Sequence, residues 1–105
     1  ILGRNPLDRS FVSGYGTRPM VNPHHRFWAA AADPAFPPPP PGAISGGPNS
    51  TNMSDEVAAA MKGKCAPQRC WADDLKSFSM NEVAINWNAP LVWVSAWLSD
   101  RQQPR

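Results

Sequence analysis

Apolar residues follow a helical spacing only near the end of the chain. Their pattern over residues 86–98 predicts one strong helix, whose apolar positions are Trp87, Leu91, Val94, Trp97 and Leu98. Pro90 fits the first turn of that helix, where amide hydrogens lack helical partners anyway. Because Trp93 and Trp97 lie inside the helix, both are expected to pack in a core. The polar residues 99–105 are expected to fray.

A second, shorter helix is predicted over residues 57–62. Ser54 is its expected N-cap, Asp55 and Glu56 are acidic residues suited to the first turn, and Gly63 ends it. Residues 1–3 are typical of the end of a helix that begins upstream, and residues 27–32 briefly favour helix. Thirteen prolines leave few residues for other packed elements, which indicates a mainly helical but loop-rich chain.

Charge and hydropathy exclude two classes of partner. The net charge is only +2 and the basic residues are scattered, which argues against nucleic acid. No apolar segment reaches the roughly 18 residues that a membrane span needs. The proline run 37–41 is typical of a polyproline II linker or a ligand for a proline-binding module, and it also suits a stiff surface crossing inside a domain.

Two cysteines, Cys65 and Cys70, are separated by four residues. A metal site would need further cysteine or histidine ligands at suitable spacing, and none is placed so. The pair is therefore expected to form a short-range disulfide, with free thiols as the alternative. A disulfide would indicate an oxidising compartment.

The carboxylates of Asp73, Asp74 and Glu82 lie among aromatic residues. A glycosidic bond breaks when one carboxylic acid protonates the departing oxygen while a second carboxylate activates water. Glu82 is the candidate acid, because apolar neighbours such as Trp71 and Phe78 would raise its pKa. Carboxylates ahead of an apolar helix can equally be capping or first-turn residues.

A second candidate stretch contains His24, His25 and Arg26. Pro19 and Pro23 exclude helix there, so the three side chains are expected on a stiff loop that faces a cleft. A zinc site or an ordinary surface loop are the alternatives.

Two motifs carry a resemblance to glycoside hydrolase family 9, the cellulase family. The later one resembles its C-terminal active-site signature, through Trp71, Asp73, Phe78, Glu82, Ala84, Asn88 and Ala89. The earlier one is similar to the family signature that ends in His-x-Arg, through Ser10, Val12, Ser13, Gly16, Arg18, Pro23, His24 and Arg26. The segments LGRNPLDRSFVSGYG and FPPPPPGAISGGPNS also look like bacterial-type members, so the resemblance covers nearly the whole chain.

The resemblance implies an all-α fold, with residues 1–105 as the C-terminal portion of one catalytic domain, a barrel of six inner and six outer helices. It implies that Glu82 is the general acid, Asp73 a supporting active-site carboxylate and His24 a further catalytic residue, while His24 and Arg26 bind the sugar beside the scissile bond. The implied reaction is hydrolysis of internal β-1,4 links in cellulose with inversion, by a secreted enzyme that needs no cofactor. Calcium is found in family relatives, but its ligands cannot be placed here.

The chain departs from the family pattern at the catalytic base, which comes from an Asp-Ala-Gly-Asp motif that these residues lack. We therefore expect a piece of a longer enzyme, with the remainder of its own catalytic domain as partner and little turnover alone. An exo-acting cellobiohydrolase or a glucosaminidase of the same family are alternatives, as is a non-catalytic carbohydrate-binding or interaction module.

Overall fold

A computed structural model of the chain describes residues 1–102 and contains three helices. Helix α1 spans Glu56–Met61, α2 spans Phe78–Asn81 and α3 spans Ile85–Gln102. The rest of the described chain consists of turns and irregular segments joined by isolated β-bridges. None of the helices within residues 1–102 has both the length and the apolar character needed to cross a membrane.

Helix α1 begins one residue later than a Ser54 cap would give. The N-cap is Asp55, whose Oδ1 accepts a hydrogen bond from the amide of Ala58 at 2.6 Å. Its Oδ2 accepts one from the amide of Ser79 at 2.8 Å, so the same carboxylate joins α1 to α2. Burial works to raise the pKa of Asp55, but these amides and the Ser79 hydroxyl outweigh it and hold the pKa below its usual value.

The core lies between the loops and the two short helices. Phe11 packs edge-on against Trp71 with ring centroids 5.2 Å apart. A disulfide joins Cys65 to Cys70, with Cα atoms 5.4 Å apart, and Cys70 is buried beside Trp71. The buried cluster consists of Phe11, Met20, Met53, Ala58, Cys70, Trp71 and Met80.

Across residues 1–102, four isolated bridges connect separate segments of the chain, and no sheet is formed there. They pair Leu2 with Ser10, Val12 with Ile44, Ser45 with Val83, and His24 with Glu82. The last pairing is parallel and the others are antiparallel. The bridged residues range from Leu2, near the start of the chain, to Val83, two residues before α3.

Helix α3 differs from the prediction in its length and in its packing. It continues to Gln102, so the fraying predicted for residues 99–102 is wrong, while residues 103–105 lie outside the described part. No residue of α3 is buried, and Trp93 and Trp97 are 67% and 45% exposed. The prediction that they pack in a core is therefore not met within residues 1–102, where residues 44–47 contact only the first turn of this helix. The prediction that Pro90 lies in the first turn is also wrong, because the helix begins at Ile85 and Pro90 is its sixth residue.

Two weaker helix predictions were wrong. Residues 1–3 are extended, since Leu2 pairs with Ser10 and its carbonyl accepts from the amide of Thr17 at 2.9 Å. Gly16 makes this close approach possible, because its φ of 81° suits glycine and a Cβ there would collide with the carbonyl of Leu2. Residues 27–32 form only a turn, closed by the amide of Ala32 on the carbonyl of Ala29.

Candidate active site

The structure brings His24 and Glu82 together as backbone partners. The amide of His24 donates to the carbonyl of Asn81 at 2.9 Å, and the amide of Val83 donates to the carbonyl of His24 at 3.4 Å. Residues paired across such a bridge project their side chains on the same side. The loop that carries His24 and the stretch that carries Glu82 therefore present one common surface.

The imidazole of His24 is oriented by the stretch that precedes Glu82. Its Nδ1 lies 2.6 Å from the carbonyl oxygen of Leu75, and the ring lies 5.8 Å from the ring of Phe78. A carbonyl can only accept, so Nδ1 carries the hydrogen and Nε2 of the neutral ring is left as an acceptor. His24 is thus prepared to accept a hydrogen bond from a hydroxyl.

Glu82 follows α2 directly and precedes α3. Its side chain is exposed and makes no hydrogen bond or ion pair with any residue in the range 1–102. The expected desolvation by aromatic neighbours is not found in this part of the protein: Trp71 is buried against Phe11, and Phe78 lies against His24. The carboxyl group is therefore free to meet a ligand.

Asp73 binds, through its carboxylate, the backbone of the loop that carries His24, His25 and Arg26, called the histidine loop below. Its side chain is only 7% exposed, and its two oxygens accept hydrogen bonds from the amides of Val21 and Asn22 at 2.9 and 2.8 Å. Arg9 adds an ion pair at 3.4 Å. Asp74, by contrast, is exposed, and within residues 1–102 its carboxylate accepts a hydrogen bond only from the nearby amide of Lys76. Asp73 holds the backbone just before Pro23 and His24.

The other two side chains of the histidine loop differ in their surroundings. Arg26 is exposed and makes no hydrogen bond or ion pair within the described part of the chain. His25 stacks on Trp28 with ring centroids 3.9 Å apart, and burial together with the neighbouring His24 lowers its pKa. In residues 1–102, no three His, Cys, Asp or Glu side chains are grouped so that they could hold a metal ion.

Several signature positions serve the backbone around the site. The hydroxyl of Ser13 donates to the carbonyl of Pro40 and accepts from the amide of Ala43. Arg18 donates to the carbonyl of Asp8 at 2.6 Å. Asn88, to which no role was assigned from the sequence, bonds both backbone groups of Ile44. The sequence indicated these residues only as fixed positions of the two motifs and gave no sign that they bind the backbone.

Comparisons with known proteins show the family to which the chain belongs. The sequence model of Glycosyl hydrolase family 9 matches residues 1–95. The chain belongs to glycosyl hydrolase family 9. It is 51% identical over 100 residues to a cellulose 1,4-beta-cellobiosidase of Acetivibrio thermocellus, a match covering 95% of this chain and 11% of that protein. It is 40% identical to endoglucanase C of Cellulomonas fimi, covering 96% of this chain and 9% of that protein.

Solved structures of family 9 enzymes share the same backbone. The structure of AaCel9A in complex with cellobiose-like isofagomine superposes with a TM-score of 0.76 and 42% identity, over 91% of this chain and 17% of that chain. A single-mutant thermostable endoglucanase from Alicyclobacillus acidocaldarius gives the same TM-score at 43% identity. The chain therefore spans about a sixth or less of the family 9 proteins it matches here.

Proposed function

We propose that this chain is the C-terminal portion of a family 9 catalytic domain that hydrolyses β-1,4-glucosidic bonds in cellulose. The pairing of His24 with Glu82 is the observation that best supports this function. The acceptor nitrogen of His24 and the carboxyl group of Glu82, which has no side-chain partner within residues 1–102, would then face the same ligand. The bound cellobiose-like compound in AaCel9A supports a cello-oligosaccharide as the ligand.

Each site residue has a distinct role in the proposed mechanism. Glu82 donates its proton to the departing glycosidic oxygen, while Nε2 of His24 accepts a hydrogen bond from a hydroxyl of the adjacent sugar. Arg26 donates forked hydrogen bonds to neighbouring hydroxyls. Asp73 acts as the supporting carboxylate by holding the loop that presents His24. Acid and base carboxylates suffice for this reaction, so no cofactor takes part in it; calcium would be structural only.

The base would come from the part of the catalytic domain outside this chain. In an inverting enzyme, roughly 6.5–9.5 Å separates the two carboxyl groups so that the attacking water fits between them. The exposed apolar surface of α3, which includes Trp93, Val94 and Trp97, would pack against the other helices of the barrel. Residues 1–105 alone are accordingly expected to show little turnover.

The test is the replacement Glu82→Gln in the complete polypeptide. Loss of the proton donor should lower kcat on cellulose by on the order of a hundredfold or more while the fold stays intact. Glu56→Gln is the matched control, since Glu56 is an exposed carboxylate on α1 that only pairs with Lys76. Near-normal activity of the Glu82 variant refutes its assignment as the acid. Inversion is checked by nuclear magnetic resonance, which should show the α-anomer as the first product.

Internal attack is proposed as the mode of cleavage, and the exo mode is the second candidate because one relative is named a cellobiosidase. An endo-acting enzyme should lower the viscosity of a soluble cellulose derivative long before many reducing ends appear. The reverse order would assign the exo mode. We further propose that the protein is secreted, since a disulfide between Cys65 and Cys70 suits an oxidising compartment.

A further inference from the structure

Asn88 connects two distant stretches of the chain through its side chain alone. Its Oδ1 accepts from the amide of Ile44 at 3.0 Å, and its Nδ2 donates to the carbonyl of Ile44 at 3.1 Å. The same Nδ2 donates to the carbonyl of Ala84 at 2.8 Å, one helical turn earlier. The carboxamide thus satisfies both backbone groups of Ile44, as a neighbouring strand would.

Residues 44–47 connect the contact between Asn88 and Ile44 to the backbone of Glu82. Ser45 pairs with Val83, the amide of Gly46 donates to the carbonyl of Glu82 at 3.0 Å, and the amide of Gly47 donates to the carbonyl of Met80 at 2.9 Å. The backbone of Glu82 therefore lies between two segments. One carries His24, and the other is fastened to α3 by Asn88.

The contact between residues 44–47 and α3 leaves little free space. A Cβ atom placed on Gly46 would lie 3.0 Å from the ring of Trp87, so the backbone there runs directly against the first turn of the helix. Glu82 has no side-chain partner within residues 1–102, so the backbone on either side of it sets the direction of its carboxyl group.

We propose that Asn88 is a positioning residue for Glu82. Its carboxamide fixes Ile44 against α3, and through Gly46 it fixes the backbone from which the carboxyl group of Glu82 projects toward the departing oxygen. This inference rests on the proposed role of Glu82 as proton donor. Without the carboxamide, both backbone groups of Ile44 lose their partner, and the segment beside Glu82 can shift.

The experiment compares two substrates in the complete polypeptide. Cellotetraose has a sugar leaving group that needs a proton, whereas 2,4-dinitrophenyl β-cellobioside has one that departs without acid assistance. The variants are Asn88→Ala and Asn88→Asp, with Glu82→Gln as the reference for a lost acid. Asn86→Ala is the control, because Asn86 is an exposed asparagine on the same turn.

Asn88→Ala should lower kcat on cellotetraose by on the order of tenfold to a hundredfold and kcat on the dinitrophenyl substrate by less than about threefold. Asn88→Asp keeps the acceptor for the Ile44 amide but sets a carboxylate oxygen against the carbonyls of Ile44 and Ala84, so it should show a loss at least as large with the same selectivity. If Asn88→Ala does not fold, the losses on the two substrates are compared in Asn88→Asp instead. Asn86→Ala should match the parent on both substrates.

Equal losses on the two substrates in the Asn88 variants, beside a selective loss in Glu82→Gln, would overturn the positioning role alone. Equal losses in Glu82→Gln itself would overturn the proton-donor assignment and with it this inference. Failure of both Asn88 variants to fold would show that the carboxamide is needed for the fold as a whole, which also overturns the specific role.

Discussion

Replacing Asp73 tests whether its carboxylate supports the histidine loop or takes part in the chemistry directly. The side chain is 7% exposed and accepts hydrogen bonds from the amides of Val21 and Asn22. A hydrogen bond to a charged group contributes about 1.5–3 kcal/mol. Asp73→Asn retains one acceptor oxygen and turns an NH2 group toward the other amide, so it should cost about 1.5–3 kcal/mol of unfolding free energy.

The same replacement should reduce activity, because only Pro23 separates His24 from the supported residues Val21 and Asn22. A displacement of the order of 1 Å in a substrate-contacting group can cost up to about a hundredfold in rate. We expect kcat/KM of the complete enzyme on cellotetraose to fall by about tenfold or more. The unfolding free energy is measured by urea titration, with the kinetics measured on the same preparation.

Asp74→Asn is the matched control, because this neighbouring carboxylate is exposed and bonds only the nearby amide of Lys76. It should change the unfolding free energy by less than about 0.5 kcal/mol. Equal destabilisation by the two variants would contradict the argument. A large loss of activity in Asp73→Asn with unchanged stability would assign Asp73 to the chemistry rather than to support of the loop.

Two further predictions concern the scaffold. The hydrogen bonds that lower the pKa of Asp55 stabilise the fold above its unfolded pKa, and this contribution should disappear as the pH falls through its folded pKa. Urea titrations between pH 7 and pH 3 should show a smaller loss of unfolding free energy on acidification in Asp55→Asn than in the parent. The variant should also cost about 1 kcal/mol at neutral pH, because its NH2 group cannot accept from the Ser79 amide. An equal loss on acidification in the variant would exclude Asp55 as its source. Removing the Cys65–Cys70 disulfide, by the double serine variant, should cost about 2 kcal/mol for so small a loop; a drop in unfolding free energy far above this would mean that the bridge also holds the core at Trp71.

The helices could be predicted from the sequence to different degrees. The start of α3 was placed within a residue, because the apolar spacing begins there, but Pro90 lies in the second turn and not in the first, where it was predicted. The end of α3 was predicted too early, since polar residues such as those at 99–102 can form the last turn of a helix as readily as a frayed tail. The cap of α1 was assigned to Ser54 instead of Asp55, because both residue types cap well and only the contact with Ser79 distinguishes them.

The residues of the candidate site could be predicted from the sequence, but their arrangement in space could not. His24, Arg26, Asp73 and Glu82 could be selected by motif, but their separation along the chain hides how they meet. The pairing of His24 with Glu82 depends on backbone bonds that no residue type encodes. The burial of Asp73 was equally hidden, since an acidic pair beside an aromatic residue does not reveal which carboxylate turns inward.

The structure also explains why so many signature residues lack obvious chemistry. Glu82, the proposed proton donor, makes no side-chain hydrogen bond or ion pair within residues 1–102, so its backbone must orient its carboxyl group, and isolated bridges hold that backbone. An isolated bridge contributes little stability unless hydrogen bonds also satisfy the remaining backbone amides and carbonyls of the bridged segments. The hydroxyl of Ser13 does this at Ala43, and the carboxamide of Asn88 does it at Ile44. Side chains that complete backbone hydrogen bonding are therefore as necessary to the proposed site as the groups that would touch the sugar.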